Sequence, residues 1–129
     1  MSKITCSKPR GATEANLLEW ANQEMARGVP RQVVCDTLLN QELKWGDFDP
    51  PPFTLVAGRL SGVMAGRIDR GIDLEKAGKI DEAIAVYEEN VADCFKGTFP
   101  YERLRVLYAK RKDYLNAIRV CQAYLKLPY

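Results

Sequence analysis

Lys79-Ile-Asp-Glu-Ala-Ile-Ala-Val-Tyr87 and Asp113-Tyr-Leu-Asn-Ala-Ile-Arg-Val-Cys121 carry Ala-Ile-x-Val in the same phase, from Ala83 in one and from Ala117 in the other. The offset is a 34-residue period, and such a period carrying two amphipathic helices per copy is the mark of a helix–turn–helix repeat. The stretch from Gly71 to Leu127 therefore decides the fold, and the rest of the chain is read outward from it.

Neighbouring positions keep the same register. Gly71 lies twelve residues before Ala83, Gly78 lies five before it, and Tyr87 follows it by one helical turn. In the second copy Leu104 and Tyr108 precede Ala117 by thirteen and nine residues. Together these positions resemble the tetratricopeptide repeat family over about half the chain. The second copy departs from the family at Arg105 (a small residue is usual), Lys112 (glycine) and Cys121 (an aromatic). The resemblance implies that a small residue early in the second helix lets two helices approach closely. It also implies that the first helix of each pair lines a concave groove in which a partner segment lies.

The expected fold is all-α: a helical hairpin followed by tetratricopeptide-like antiparallel helix pairs, about six helices in a superhelix. Residues 1–11 read as a flexible arm, 12–45 as the N-terminal hairpin and 46–53 as a proline-rich connector. Residues 54–129 read as a long helix with two repeats, 64–97 and 98–129. Thr13 is placed to cap the first helix, which carries Leu17, Leu18, Ala21 and Met25 on one face beside Trp20. Gly28 stops it and Pro30 opens the next, whose apolar face is Val33, Val34, Thr37, Leu38 and Leu43. Pro50, Pro51 and Pro52 lack amide donors, so the path there is extended.

Thr54 reads as the cap of a helix reaching about Ala77, with Leu55, Val56, Leu60, Val63, Met64, Ile68 and Ile72 inward. Phe53–Ser61 as loop or strand is the competing assignment. Gly58, Gly62 and Gly66 form one stripe, for which close helix–helix approach is the expected compensation. The following helix is expected over Lys79–Asp93, closed by Gly97, and the next over Tyr101–Arg111 with Leu104, Leu107 and Tyr108 inward. Asp113 caps the last helix, with Ala117, Ile118, Cys121 and Leu125 inward. Tyr114, Tyr124, Leu127 and Tyr129 are expected to leave an apolar patch for an oligomer or partner contact.

The 129 residues carry a net charge of +2, unevenly spread. Residues 64–97 hold five Lys/Arg against eight Asp/Glu, a net of −3, and residues 98–129 hold seven against two, a net of +5. Solvated helix faces account for this, or else one end steers a charged partner. Cys6, Cys35, Cys94 and Cys121 show no metal-ligand spacing and there is no histidine, so they read as reduced structural thiols, which favours a cytoplasmic location. No apolar run suits a signal peptide or a membrane span.

The absence of histidine excludes Ser-His-Asp and Cys-His catalysis, and no nucleotide, calcium or haem motif is present. The expectation is a non-catalytic protein–protein interaction adaptor or scaffold with no cofactor and no bound metal. By resemblance, the groove is lined by Met64–Ala77 and Phe99–Arg111. Ile68, Ile72, Glu75 and Lys76 face it from one side, and Arg103, Val106 and Lys110 from the other. This mixture suits a partner segment with apolar anchors and acidic character. A homodimer would be a second way to bury the faces that two repeats leave open. Two other readings stand beside it. One is nucleic-acid binding by Arg103, Arg105, Lys110, Arg111 and Lys112, with Tyr101, Tyr108 and Tyr114 as stacking platforms. The other is a small regulator or inhibitor docking on a larger complex.

Overall fold

The computed structural model describes residues 5–11, 13–41 and 52–127. Every regular element among them is an α-helix: α1 (Glu14–Ala26), α2 (Arg31–Gln41), α3 (Pro52–Lys76), α4 (Ile80–Ala92), α5 (Phe99–Lys110) and α6 (Tyr114–Leu125). The fold is all-α with six helices, as the periodicity predicts. Most of the connector expected over 46–53 lies outside the described residues, as do Leu43, Pro128 and Tyr129. The chain divides into two compact units, Met1–Gly62 and Val63–Tyr129, and α3 contributes residues to both.

In the first unit, the Thr13 hydroxyl accepts from the Asn16 amide at 3.2 Å and so satisfies one of the free donors of α1. Gly28, at φ 101°, ends the helix. The Val29 amide donates to the Glu24 carbonyl at 3.1 Å and the Gly28 amide to Met25 at 3.0 Å, a Schellman closure. The core is Leu17, Trp20 and Ala21 of α1, Val34, Cys35 and Leu38 of α2, and Phe53, Val56, Ala57 and Leu60 of α3. Residues 5–11, read as part of a flexible arm, form no regular element but are hydrogen-bonded to α1. The Trp20 indole donates to the Ser7 hydroxyl at 3.0 Å, the Ser7 amide to the buried Glu24 at 3.1 Å, and Arg27 to the Thr5 carbonyl at 2.9 Å.

The long helix differs from expectation in three ways. It starts at Pro52, where a missing amide costs nothing, two residues before the expected cap, while its run through 53–61 is helical as expected and not the competing loop or strand. Thr54 is thus inside the helix, and its hydroxyl has no hydrogen-bond partner among the described residues. Leu55 and Val63 are exposed rather than inward. The glycine stripe is also uncovered: a Cβ built on Gly58, Gly62 or Gly66 meets nothing within 4 Å among the described residues.

The second unit is a repeat in three dimensions as well as in sequence. Gly78 (φ 77°) and Lys112 (φ 59°), which occupy the same position in the two copies, both take the left-handed conformation. The amides of Lys79 and Asp113 return to the carbonyls of Leu74 and Tyr108 at 2.9 Å in each case. Ala83 and Ala117 are buried, as are Val86 and Val120. Ala83, Tyr87, Leu104, Leu107, Tyr108, Ala117 and Val120 form one core, with Leu74, Ile80, Ile84 and Val91 packed against it. Gly71 supplies the closest approach, since an added Cβ would stand 2.3 Å from Tyr87 Cε1. Asn90, fully buried, donates to the Met64 carbonyl at 2.9 Å and so pins α4 to α3.

Helix ends differ from expectation by one to three residues. The residue that closes α4 is Cys94, at φ 57°, with the Phe95 amide returning to the Asn90 carbonyl at 3.0 Å, so Gly97 lies beyond the stop expected of it. α5 opens at Phe99 with Pro100 in its first turn, and the Asp113 carboxylate caps α6 through the Asn116 amide at 3.3 Å. Two turn positions therefore carry side chains where glycine is unstrained. Lys112→Gly is expected to stabilise the protein by about 0.5–1 kcal/mol, because Lys112 is exposed and only its left-handed backbone changes in cost. A urea titration with an unchanged or lower midpoint would contradict this.

Candidate functional site

The charges of the two repeats answer one another. Arg103 of α5 grips Glu75 of α3, with Nε 3.1 Å from Oε2 and Nη2 on Oε1. Arg111 pairs with Asp81, and Arg119 with Glu88. Each pair joins a carboxylate of the acidic copy to a guanidinium of the basic copy. Much of the charge separation is therefore neutralised inside the unit, where these three arginines are engaged. On α3 and α4, Arg67 does the equivalent locally, bridging Glu89 (Nε–Oε2 3.1 Å), Asp93 and Asn90.

Glu75 is one of the residues expected to face the groove. It accepts from the Tyr87 hydroxyl at 2.6 Å as well as from Arg103. Arg103, and to a lesser extent the Tyr87 hydroxyl, hold its carboxyl below the ordinary carboxylate range, against the opposing effect of burial. Burial, and then Glu75, push the Tyr87 phenol well above its usual range. Phe99 meets the Tyr87 ring edge-on, with centroids 6.0 Å apart.

Of the groove residues named from sequence, Arg103 is half-buried and committed to Glu75, and Lys110 lies near enough to act on the same carboxylate. Ile68, Ile72 and Val106 are half-buried and Lys76 is exposed. Arg103 is thus paired with Glu75, and the Lys110 charge acts more weakly on the same carboxylate. Ile68, Ile72 and Lys76 share α3 with Glu75, and Val106 shares α5 with Arg103.

Tyr108, donating to Glu88 at 2.8 Å, is pushed up to about 12 by burial and that carboxylate, and burial raises Tyr101 as well. The raised phenols contribute stability that is complete below the unfolded value of about 10 and is lost as pH rises through their folded values. Glu75, lowered, contributes stability that is present above about 4.3 and is lost as pH falls through its folded value. Burial raises the Cys6 and Cys94 thiols as well, so the melting temperature is expected to fall on the acid side as Glu75 protonates and on the alkaline side from the unfolded thiol value of about 8.5 upward. Glu75→Gln should flatten its share of the acid limb. Phenolate absorbance that rises in full at ordinary phenol pH, with the fold intact, would contradict the alkaline part.

The face of α6 turned away from the core is the feature that periodicity misassigns. Ile118 is 55 % exposed and Leu125 80 %, although the helical period places both inward. The buried residues of α6 are Ala117 and Val120, and Cys121 is half-buried. Small side chains face the core because α5 lies close. The larger ones, with Tyr114 and Leu115, form an uncovered apolar face among the described residues. Beside it opens a crevice of about 250 Å³ lined by Thr98, Tyr101, Glu102, Arg105, Cys121, Tyr124 and Leu125. Its origin is a swap of sizes between copies. Tyr87 lies over Gly71 in the first copy, while at the corresponding positions of the second, Cys121 and Arg105 leave that space open.

No family model, curated protein or solved structure matches this chain. Among the described residues no helix is long and apolar enough to cross a membrane.

Proposed function

We propose that this chain is a non-catalytic adaptor built on tetratricopeptide-like repeats, which holds a segment of a partner protein against α3 and α5. The observation that supports it most is the recurrence, one repeat period on, of one turn geometry and one buried small residue: Gly78 with Ala83, and Lys112 with Ala117. The first helices of the two copies, α3 and α5, are joined by the Glu75–Arg103 pair, which supports reading them as one surface. Half-buried Ile68, Ile72 and Val106 supply apolar contacts, and exposed Lys76 and Lys110 supply positive charge. That chemistry suits an extended or helical segment with apolar anchors and acidic residues.

Nucleic-acid binding by the basic helices is less well supported, because Arg103 and Arg111 are already held by carboxylates. The test is affinity capture from the native host with the wild-type chain and with Lys76→Glu/Lys110→Glu. Both lysines are exposed, and the variant leaves both members of the Glu75–Arg103 pair in place, although Lys110 also acts on Glu75; Lys76→Glu alone is run beside it to separate the two effects. A protein captured by the first and lost with the second supports the reading. Retention by both removes these lysines from the site. Tight, steeply salt-dependent binding to oligonucleotides replaces the adaptor reading with the nucleic-acid one.

A further inference from the structure

The uncovered face of α6 is separate from the α3–α5 groove, and the internal repeat bears on what covers it. Tyr114, Ile118, Cys121 and Leu125 occupy in the second copy the positions of Ile80, Ile84, Tyr87 and Val91 in the first. In the first copy, Ile80, Ile84 and Val91 are packed against the core to which the next helix, α5, contributes Leu104, Leu107 and Tyr108. Phe99 of α5 lies against Tyr87. The same face recurs on α6 without the helix that would cover it among the described residues: Tyr114 is 59 % exposed, Ile118 55 % and Leu125 80 %. Where Phe99 meets Tyr87 in the first copy, the second offers the crevice beside Cys121, whose lining includes the edge-to-face pair Tyr101 and Tyr124.

A second copy of this chain stacked in the same sense does not fit. Its α3 would have to serve as the covering helix, but Arg70 and Asp73 are the counterparts there of Leu104 and Leu107, and both are exposed. Two charges would be placed where the repeat needs two leucines, at a desolvation cost without compensation. The local charge points the same way. Lys112 and Lys126, exposed at either end of α6, make no ion pair among the described residues. Two α6 faces brought together would also repel.

We propose that the outer face of α6 binds an amphipathic helix of another protein. This helix presents an aromatic anchor to the crevice at Cys121, leucines at helical spacing to Ile118 and Leu125, and acidic residues to Lys112 and Lys126. Buried aromatic anchors in such crevices carry most of the binding energy of helix-in-groove contacts.

The probe is a helix-stapled peptide of residues 98–112 of this chain, with Arg103, Arg105, Lys110, Arg111 and Lys112 replaced by glutamate. It keeps Phe99, Leu104, Leu107 and Tyr108, and reverses the charge. Binding to the full chain is read by fluorescence anisotropy, with sedimentation of the chain alone run in parallel. The expected result is saturable binding, weakened about ten-fold or more by Ile118→Glu and by the peptide with its natural basic residues, but not by Lys76→Glu in the groove. Leu125→Glu, at a more exposed position, serves as a second variant should Ile118→Glu impair folding. Equal binding by a scrambled peptide of the same composition, no binding, or insensitivity to both α6 variants overturns the proposal. So does a dimer of the free chain that Ile118→Glu dissociates, since the occupant would then be a second copy.

Discussion

Gly71→Ala is expected to lower the free energy of unfolding by about 3 kcal/mol, at the upper end of what one added methyl costs in a packed core. The methyl would stand 2.3 Å from Tyr87 Cε1, 2.6 Å from Cζ and 2.9 Å from Cδ1. The ring has no room to yield, because it is fully buried and its hydroxyl is fixed to Glu75 at 2.6 Å. Relief requires α3 and α4 to separate or the ring to leave Glu75. Either response loosens the ion pair with Arg103 and hence the tie between the two copies. Gly66→Ala on the same helix is the control. Nothing lies within 4 Å of its new methyl, so the better helix propensity of alanine should stabilise by about 0.5–1 kcal/mol. Urea titrations of the two variants decide the matter. Changes of the same sign would show that close packing at Gly71 does not hold the repeats together.

Asn90→Ala is expected to cost about 2–3 kcal/mol, combining a cavity with the loss of buried hydrogen bonds. Asn90 is fully buried, gives its amide to the Met64 carbonyl at 2.9 Å and accepts from Arg67 at 3.1 Å. Arg67 keeps Asp93 and Glu89 in the variant, so its charge is not stranded. The loss therefore falls on the α3–α4 contact. Asn90→Asp tests the direction of the hydrogen bond. A carboxylate facing the Met64 carbonyl cannot donate, so this variant should be at least as destabilised at neutral pH despite its similar size. If both variants melt within a degree or two of the parent, the amide bridge is not a stabilising contact.

The residues that can be read in advance share one property: their meaning is local. Thr13 and Asp113 cap helices because an oxygen one turn ahead of free amides has a short-range use. Gly28 and Gly78 stop helices because the left-handed conformation is cheap for glycine. Cys94 and Lys112 adopt the same conformation, and no side-chain preference announces it. For that reason the sequence points to Gly97 as the end of α4, when the stop lies three residues earlier.

The candidate groove is legible only in part. Periodicity together with the family resemblance names Arg103 and Lys110 for a partner, whereas within the unit Arg103 pairs with Glu75 and the Lys110 charge acts weakly on it. The partners of Arg103, Arg111 and Arg119 lie 28 to 31 residues away and arise only when the copies stack. Charge counted along the chain therefore suggests steering, where the folded unit has neutralisation.

Residue order by itself determined the helices, their periodic recurrence and the small residues at 83 and 117, because these follow from backbone chemistry and the helical period. Tertiary structure alone decided which of two apolar stripes on α6 faces inward. Hydrophobicity favours Ile118 and Leu125. The short distance to α5 admits Val120 beside the expected Ala117 and leaves the larger side chains exposed. Close packing depends on volume at a particular separation, and that separation is a property of two helices together.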